Sequence, residues 1–309
     1  MAHSVLVTGA SGFVGSAVVN ELLQRGTRVS ALVRPDGGVT LDPRVTRQTG
    51  ELGDAASLNR AMSGCDAVIH LVGIIAERPA SGITFAAVHV EGTRNVISAA
   101  RSGGVRRFVH MSALGTRADA VSDYHRTKWQ AEELVRTSGL DWTIFRPSMI
   151  HGRRGAFTRQ AIAWARKQAM PFVAMPYFGR GLLGFGGAGL LQPVFVDDVA
   201  RAFVDALDRP VTIGRTYDLG GPDRYTWPEF YEVIARTVVG RRRATLPIPA
   251  WYARLLAAIV PRSLLPFNRD QVIMSQEDNV GDTSAFTTDF GWTPRPFEPT
   301  LRGYATEPG

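Results

Sequence analysis

A single cysteine in 309 residues, Cys65, leaves no partner for an intramolecular disulfide and no thiolate cluster for a structural metal. The residues after it, Asp66-Ala67-Val68-Ile69-His70, read as a buried strand, so the thiol is expected to precede a structural element rather than to act as a nucleophile. No apolar run approaches the roughly 20 residues that a membrane-spanning helix needs. A basic stretch leading into an apolar export signal is lacking as well. The expected location is therefore cytoplasmic, with peripheral attachment at the inner face of a membrane left open. Low-complexity tracts, internal repeats and linkers are absent. His, Asp and Glu nowhere fall at metal-ligand spacing, so no metal is expected.

What is present describes an enzyme-like chain. With 45% hydrophobic and 20% charged residues it can bury one large core or two joined ones. The net charge of +7 and pI near 10.0 would suit an anionic partner. Yet the basic residues are dispersed, the one tight cluster, Arg241-Arg242-Arg243, reads as a solvated loop, and no nucleic-acid module is visible.

The most informative segment is Thr8-Gly9-Ala10-Ser11-Gly12-Phe13-Val14-Gly15. Val5, Leu6 and Val7 before it read as a buried parallel strand, and Val14, Ala17, Val18, Leu22 and Leu23 after it recur at helical spacing. Strand, glycine turn and helix in that order make a pyrophosphate cradle. Backbone amides can approach the anion where no Cβ intervenes, and the helix dipole favours its charge. Gly9, Ser11, Gly12, Phe13, Val14 and Gly15 are therefore expected to hold a dinucleotide. The first gap is one residue longer than in Gly-x-Gly-x-x-Gly.

Strands are expected over Arg28 to Val33, Val45 to Gln48, Ala67 to Val72, Arg107 to Met111 and Trp142 to Phe145. Helices are expected over Ala55 to Met62, Phe85 to Ala100 and Tyr124 to Thr137. Such alternation predicts an α/β, Rossmann-type doubly wound parallel sheet with its ligand at the carboxyl ends of the strands. The expected division is a dinucleotide-binding domain at 1–150 and a smaller C-terminal α/β lobe at 151–309, with elements packed back on the first domain.

The end of the second strand bears on cofactor choice. It closes in Arg34-Pro35 rather than in an acid, so Arg34 would pair with a 2′-phosphate and NADP(H) is favoured over NAD(H). Asp36, two residues on, leaves NAD open. Glu51 and Leu52 after the third strand are expected at the adenine, while Asp54 is more simply a helix cap. Leu71, Val72 and Gly73 would run along the cofactor, and Met111 ends the fifth strand beside it.

The catalytic candidate is Tyr124-His125-Arg126-Thr127-Lys128. With Ser122 or Asp123 as cap the segment is helical, so Tyr124 and Lys128 lie one turn apart. A tyrosine of ordinary pKa, about 10, is a poor base, and a neighbouring ammonium is expected to lower it.

These pieces resemble the short-chain dehydrogenases/reductases in their extended and atypical branches, the NAD-dependent epimerase/dehydratase superfamily. The matching segments are Thr8 to Gly15, Gly50 to Asp54, Tyr124 to Lys128, and Phe145-Arg146-Pro147-Ser148. The resemblance implies that Pro147 and Ser148 border the nicotinamide and that Ser112, Tyr124 and Lys128 form the catalytic set. His89 stands where asparagine is usual, in Val88-His89-Val90-Glu91-Gly92-Thr93-Arg94-Asn95. A narrower resemblance spans nearly the whole chain through His110-Met111-Ser112-Ala113-Leu114-Gly115, the stretch Gln192 to Ala200, and Gln276 to Asp282. It is to bacterial relatives of the nucleotide-binding accessory subunit of respiratory complex I. That family implies tightly held NADPH, a role in respiratory-complex assembly or quinone metabolism, a respiratory or membrane-associated protein partner, and weak or no turnover. The alternative is an active NADP-dependent oxidoreductase or nucleotide-sugar epimerase/dehydratase. Ala113 occupies the position where active members carry the hydroxyl that polarises the substrate carbonyl, and Thr116 is its conceivable substitute.

In the second half, Ala156 to Ala169 is expected as a basic helix and Asp197 as the cap of a helix from Val199 to Leu207. Gly179 to Leu191, glycine-rich and apolar, reads as a substrate lid or partner loop. Leu246 to Pro261 reads as one short apolar helix, flanked by Arg241 to Arg243 and Arg262. Packing inside the lobe is the simpler use of its large residues, a membrane surface the other.

Overall fold

A computed structural model describes residues 4–35, 40–260, 265 and 267–305. Asp36, Arg262 and the last residue of the expected helix, Pro261, lie outside the described residues. Two compact units are formed. The first comprises Met1–Pro147, Val196–Asp218 and Thr283–Trp292, and the second Ser148–Phe195, Leu219–Asp282 and Thr293–Gly309.

The first unit begins with β1 (Ser4–Thr8), α1 (Phe13–Gln24), β2 (Arg28–Val33), β3 (Thr46–Thr49), α2 (Ala55–Met62) and β4 (Ala67–His70). A π-helical turn over Ala86–Glu91 runs into α3 (Gly92–Ser102), followed by β5 (Arg107–Met111), α4 (Asp123–Arg136) and β6 (Asp141–Pro147). After β7 (Ile150–His151), α5 (Ala156–Ala165), β8 (Met175–Gly179) and β9 (Val194–Phe195) come α6 (Val196–Leu207) and β10 (Arg215–Leu219). The remaining elements are α7 (Trp227–Val239), β11 (Thr245–Pro249), α8 (Ala250–Ile259), α9 (Arg269–Gln276), α10 (Ser284–Phe290) and α11 (Phe297–Ala305).

Seven strands join in the order β3-β2-β1-β4-β5-β6-β10. The pairs from β3 through to β6 are all parallel. The fold is thus the α/β doubly wound sheet that the alternation predicts. Val5, Leu6 and Val7 are wholly buried at its centre because both faces are covered. On one face Leu6, Val68, Phe108 and Ile144 pack with residues of α2 and α3 and with Val135 of α4. On α6, Asp205 takes Arg25 of α1 (2.7 Å) and the Trp292 indole N–H (2.9 Å), which fixes that helix against α1.

The helix that carries the catalytic candidates is anchored by charge. Glu132 of α4 is fully buried and accepts from Arg146 of β6 (2.8 and 2.7 Å) and from Arg136 (2.5 Å). Arg146 therefore ties α4 to the sheet.

In the second unit β11 pairs with β8 and β7 with β9, both parallel. Phe230 of α7 stacks on Phe297 of α11 at 4.8 Å, at the centre of a core to which α5 contributes Ala161 and Ala165. Several boundaries differ from the sequence reading. The expected fourth strand stops at His70, α5 stops at Ala165, and α6 begins at Val196, so Asp197 sits inside its first turn. Leu246 to Pro261 is not one helix: residues 245–249 pair with β8, with Pro247 and Pro249 at the register of a strand, and only 250–259 are helical. No helix among the described residues is long and apolar enough to cross a membrane.

Removing Glu132 would take the carboxylate from the half-buried Arg146 guanidinium, while Arg136 keeps Glu133 (2.6 Å). Glu132→Ala is expected to cost about 2–4 kcal/mol, read as a lowered urea midpoint. An unchanged midpoint would show that this ion pair does not anchor α4.

Candidate functional site

The glycine turn joins β1 to α1 beside the place where the strand order reverses, between β1 and β4. Gly9 holds φ +76°, and a Cβ on it would approach Val72 N to 3.2 Å. At Gly15 a Cβ would fall 2.0 Å from Gly9 O, an overlap that no rotamer relieves. The Gly12 N–H donates to Gly9 O at 2.9 Å, and α1 opens with no capping side chain and no acid in its first turn. Among the described residues no side chain competes for the helix-start amides, so the turn fits a pyrophosphate. Ser11 and Phe13 are half-buried, Gly12 is exposed, and Val14 and Gly15 are buried.

Arg34 is exposed directly after β2. Glu51 is exposed too, with its N–H 3.3 Å from Ser57 Oγ. Leu52 packs toward Gly92, where a Cβ would lie 2.7 Å from its side chain, and its carbonyl accepts from Asn95 Nδ2 (2.8 Å). That carbonyl is therefore committed to α3. Asp54 caps α2 through Ala56 N (3.0 Å) and Ser57 N (3.2 Å). After β4, Leu71 is buried and donates to Thr8 O, Val72 lies against Gly9, and Gly73 is exposed.

Lys128 is the buried centre of the site, 2% exposed, with Nζ donating to Met111 O at 3.0 Å. A Cβ on Gly73 would sit 3.0 Å from that Nζ and 3.6 Å from His89 Nε2, so a larger residue there would press on the ammonium. Burial pulls the Lys128 ammonium down to about 8, against the opposing charge of Glu132. Tyr124, one turn earlier on α4, is enclosed edge-on by His89 (5.4 Å) and Phe85 (5.9 Å). Burial pushes its phenol up to about 12, the reverse of the direction expected from a neighbouring lysine. Here desolvation outweighs the ammonium, which is turned to the Met111 carbonyl.

Ser112 lies at the end of β5 and donates from Oγ to Thr116 Oγ1 (3.3 Å), both side chains buried. Pro147, buried, ends β6. Ser148 opens the second unit, and its hydroxyl donates to Gln192 O.

Sequence reasoning missed a chain of histidines. His70 on β4 is in register with His110 on β5, so the two rings share a sheet face and stack at 5.4 Å. His70 is held between Thr8 Oγ1 (2.7 Å) and Thr93 Oγ1 (3.1 Å), and burial pushes its imidazole down to about 3. Neither ring nitrogen of His110 has a hydrogen-bond partner among the described residues. His89 accepts the Ile74 N–H at Nε2 (3.1 Å), so its proton is on Nδ1, which donates to Thr127 Oγ1 (2.9 Å). The signal available was the strand-end position of His70 and His110, but only the register shows that they meet.

The chain matches the NAD(P)H-binding family over residues 9–167. It is 30% identical to the mitochondrial NADH dehydrogenase [ubiquinone] 1 alpha subcomplex subunit 9 of Arabidopsis thaliana, over 97% of this chain and 76% of the relative. It is also 30% identical to a ceramide reductase of Caulobacter vibrioides, over 79% of this chain and 73% of the relative. Among solved structures, the NAD complex of Thermus thermophilus UDP-glucose 4-epimerase superposes with a TM-score of 0.73 at 23% identity, covering 97% of this chain and 96% of that one. That last likeness is one of fold.

The buried lysine carries a stability cost whose sign follows from its lowered pKa. The unfolded chain binds that proton more tightly, so stability from this group rises with pH between 8 and 10.5. Lys128→Met is expected to be more stable than the parent at pH 7 by about 3 kcal/mol at most, with the gap closing toward pH 10.5. Urea titrations at the two pH values test this. A variant less stable at pH 7 would show that the Met111 hydrogen bond outweighs desolvation.

Proposed function

Because the chain belongs to the NAD(P)H-binding family, within the short-chain dehydrogenase/reductase superfamily, we propose that it holds NADP(H) tightly and turns over weakly or not at all. The bound nucleotide then serves a structural or sensing role in respiratory-complex assembly or quinone metabolism. The carrying observation is at the end of β5. The Ser112 hydroxyl is spent on Thr116 in a buried pair, and Ala113 beside it has no hydroxyl to polarise a carbonyl. Losing one such donor typically costs ~10²–10³ in rate.

The chain's own residues divide the work of binding. Gly9, Ser11, Gly12, Phe13, Val14 and Gly15 would cradle the pyrophosphate, Arg34 the 2′-phosphate, and Glu51 and Leu52 the adenine. Leu71, Val72, Gly73 and Met111 would line the path to the nicotinamide, and Lys128 would hold its ribose. When bound, the nicotinamide supplies or accepts a hydride. Tyr124 Oη would give or take the proton at the substrate oxygen, and a phenol pushed up to about 12 keeps that proton at neutral pH. The subunit relative supports a respiratory or membrane-associated protein partner, and a cytoplasmic, peripheral location is part of the same reading.

A second reading, an active NADP-dependent oxidoreductase or nucleotide-sugar epimerase/dehydratase, is favoured by the presence of both Tyr124 and Lys128 at the head of α4. The name of the Caulobacter relative supports reduction in particular.

Native mass spectrometry of the purified protein, with release of the nucleotide, is expected to find NADP(H) that carbonyl and quinone compounds do not oxidise. Consumption of the nucleotide, abolished by Tyr124→Phe with binding retained, would establish the active reading instead. Arg34→Ala is expected to weaken NADPH at least tenfold while changing NADH little, as measured by fluorescence titration. Equal losses would reject the assignment of Arg34.

A further inference from the structure

The second unit contains a helix that is inside out. On α8 the small residues Ala250 and Ala253 face the core beside Val272 of α9, whereas Trp251, Leu255 and Ile259 point to solvent at 52%, 49% and 68% exposure. An ordinary surface helix does the reverse. The three lie within a single arc of the helix at 100° per residue, so they form one apolar face rather than scattered exposed positions. This overturns the expectation that these side chains fill the lobe.

A second element extends the same surface. Between Gly179 and Leu191 the chain folds on itself, with Arg180 N–H bonded to Gly187 O (2.7 Å) and Gly186 N–H to Arg180 O (2.8 Å). The turn raises Leu182, Leu183 and Phe185 to 78%, 68% and 76% exposure. The indole N–H of Trp251 donates to Leu182 O at 3.1 Å, so helix and loop are joined. The loop is further fixed to α9 through Gly189 N–H to Ser275 O.

Charge identifies what this surface meets. The second unit holds 16 Lys and Arg against 9 Asp and Glu, and the first 19 against 19, so the whole net charge of +7 resides in the second. No carboxylate occurs in the sequence from 142 to 196 or from 240 to 269, the stretches that contain the loop and α8. Arg254 is exposed on the flank of the helix. Asp278 accepts the Leu190 N–H (2.9 Å) at the end of the loop, but a second copy would still bring a net basic surface against the first. An anionic bilayer offers hydrocarbon to the apolar face and phosphate to the arginines, with the indole at the boundary. At ten residues α8 is too short to span a membrane and long enough to lie in its surface.

We propose that the second unit docks on anionic lipid bilayers through the outer face of α8 and the Leu182–Phe185 turn. This extends the peripheral location proposed above and is independent of the dinucleotide chemistry. The test uses the full chain and sedimentation with vesicles of phosphatidylcholine, alone or mixed with phosphatidylglycerol. The parent is expected to partition onto the mixed vesicles and only weakly onto the neutral ones. Leu183→Glu/Leu255→Glu, both at exposed positions, is expected to partition at least tenfold less while NADPH binding stays unchanged; Ile259→Asn provides a second, single-site variant. Bromine-labelled acyl chains are expected to quench a fluorescence component that Trp251→Phe removes. Three results would overturn the proposal: a parent that stays in solution, variants that bind vesicles as well as the parent, or a parent oligomer that the variants dissociate, which would make the face a protein interface. Loss of vesicle binding with NADPH retained leaves the functional reading standing.

Discussion

A buried ammonium group organises the first unit. Lys128 lies inside the sheet–helix interface, where charge is costly, and it is kept there by a carbonyl at the end of β5 and by the field of a buried carboxylate one turn along its own helix. That carboxylate, Glu132, is in turn held by Arg146 of β6 and Arg136. The helix that presents Tyr124 is thus fixed to two neighbouring strands by one line of charge. Besides that carboxylate, imidazoles stand around the ammonium. Burial and the nearby cation keep His70, His89 and His110 neutral, so they add shape and hydrogen bonds to the site without adding charge.

The glycine turn solves a separate problem of space. Gly15 lets the first turn of α1 sit directly on Gly9 O, and Gly9 lets the turn pass close to the Leu71–Val72 backbone. Both requirements are steric and local, which is why the motif could be read from the chain alone. The alternating strands and helices were legible for the same reason. A strand buried on both faces must be continuously apolar, as Val5 to Val7 are.

What could not be read was partnership. The amphipathic pattern of 196–207 marks a helix but does not reveal that its Asp205 will meet Arg25, some 180 positions earlier. Composition gave Trp251, Leu255 and Ile259 as apolar neighbours on one helix, yet apolar periodicity is the same whether that face looks inward or outward. Two prolines at 247 and 249 were the overlooked sign that the segment begins as a strand. The direction of the Tyr124 pKa was missed because sequence spacing places a lysine near but does not say which oxygen claims its protons.

The π-turn over Ala86–Glu91 sets a limit on chain length here. Such a turn carries one residue more than an α-helical turn would need. Phe85, His89 and Tyr124 meet as a packed trio because that extra residue is accommodated before α3 begins. A homologue shorter by one position in this stretch would wind the segment as plain α-helix and carry residue 89 about 100° around the axis, away from Ile74. Insertions and deletions between 86 and 91 are therefore a frame problem for the site, in which the count of residues matters as much as their identity.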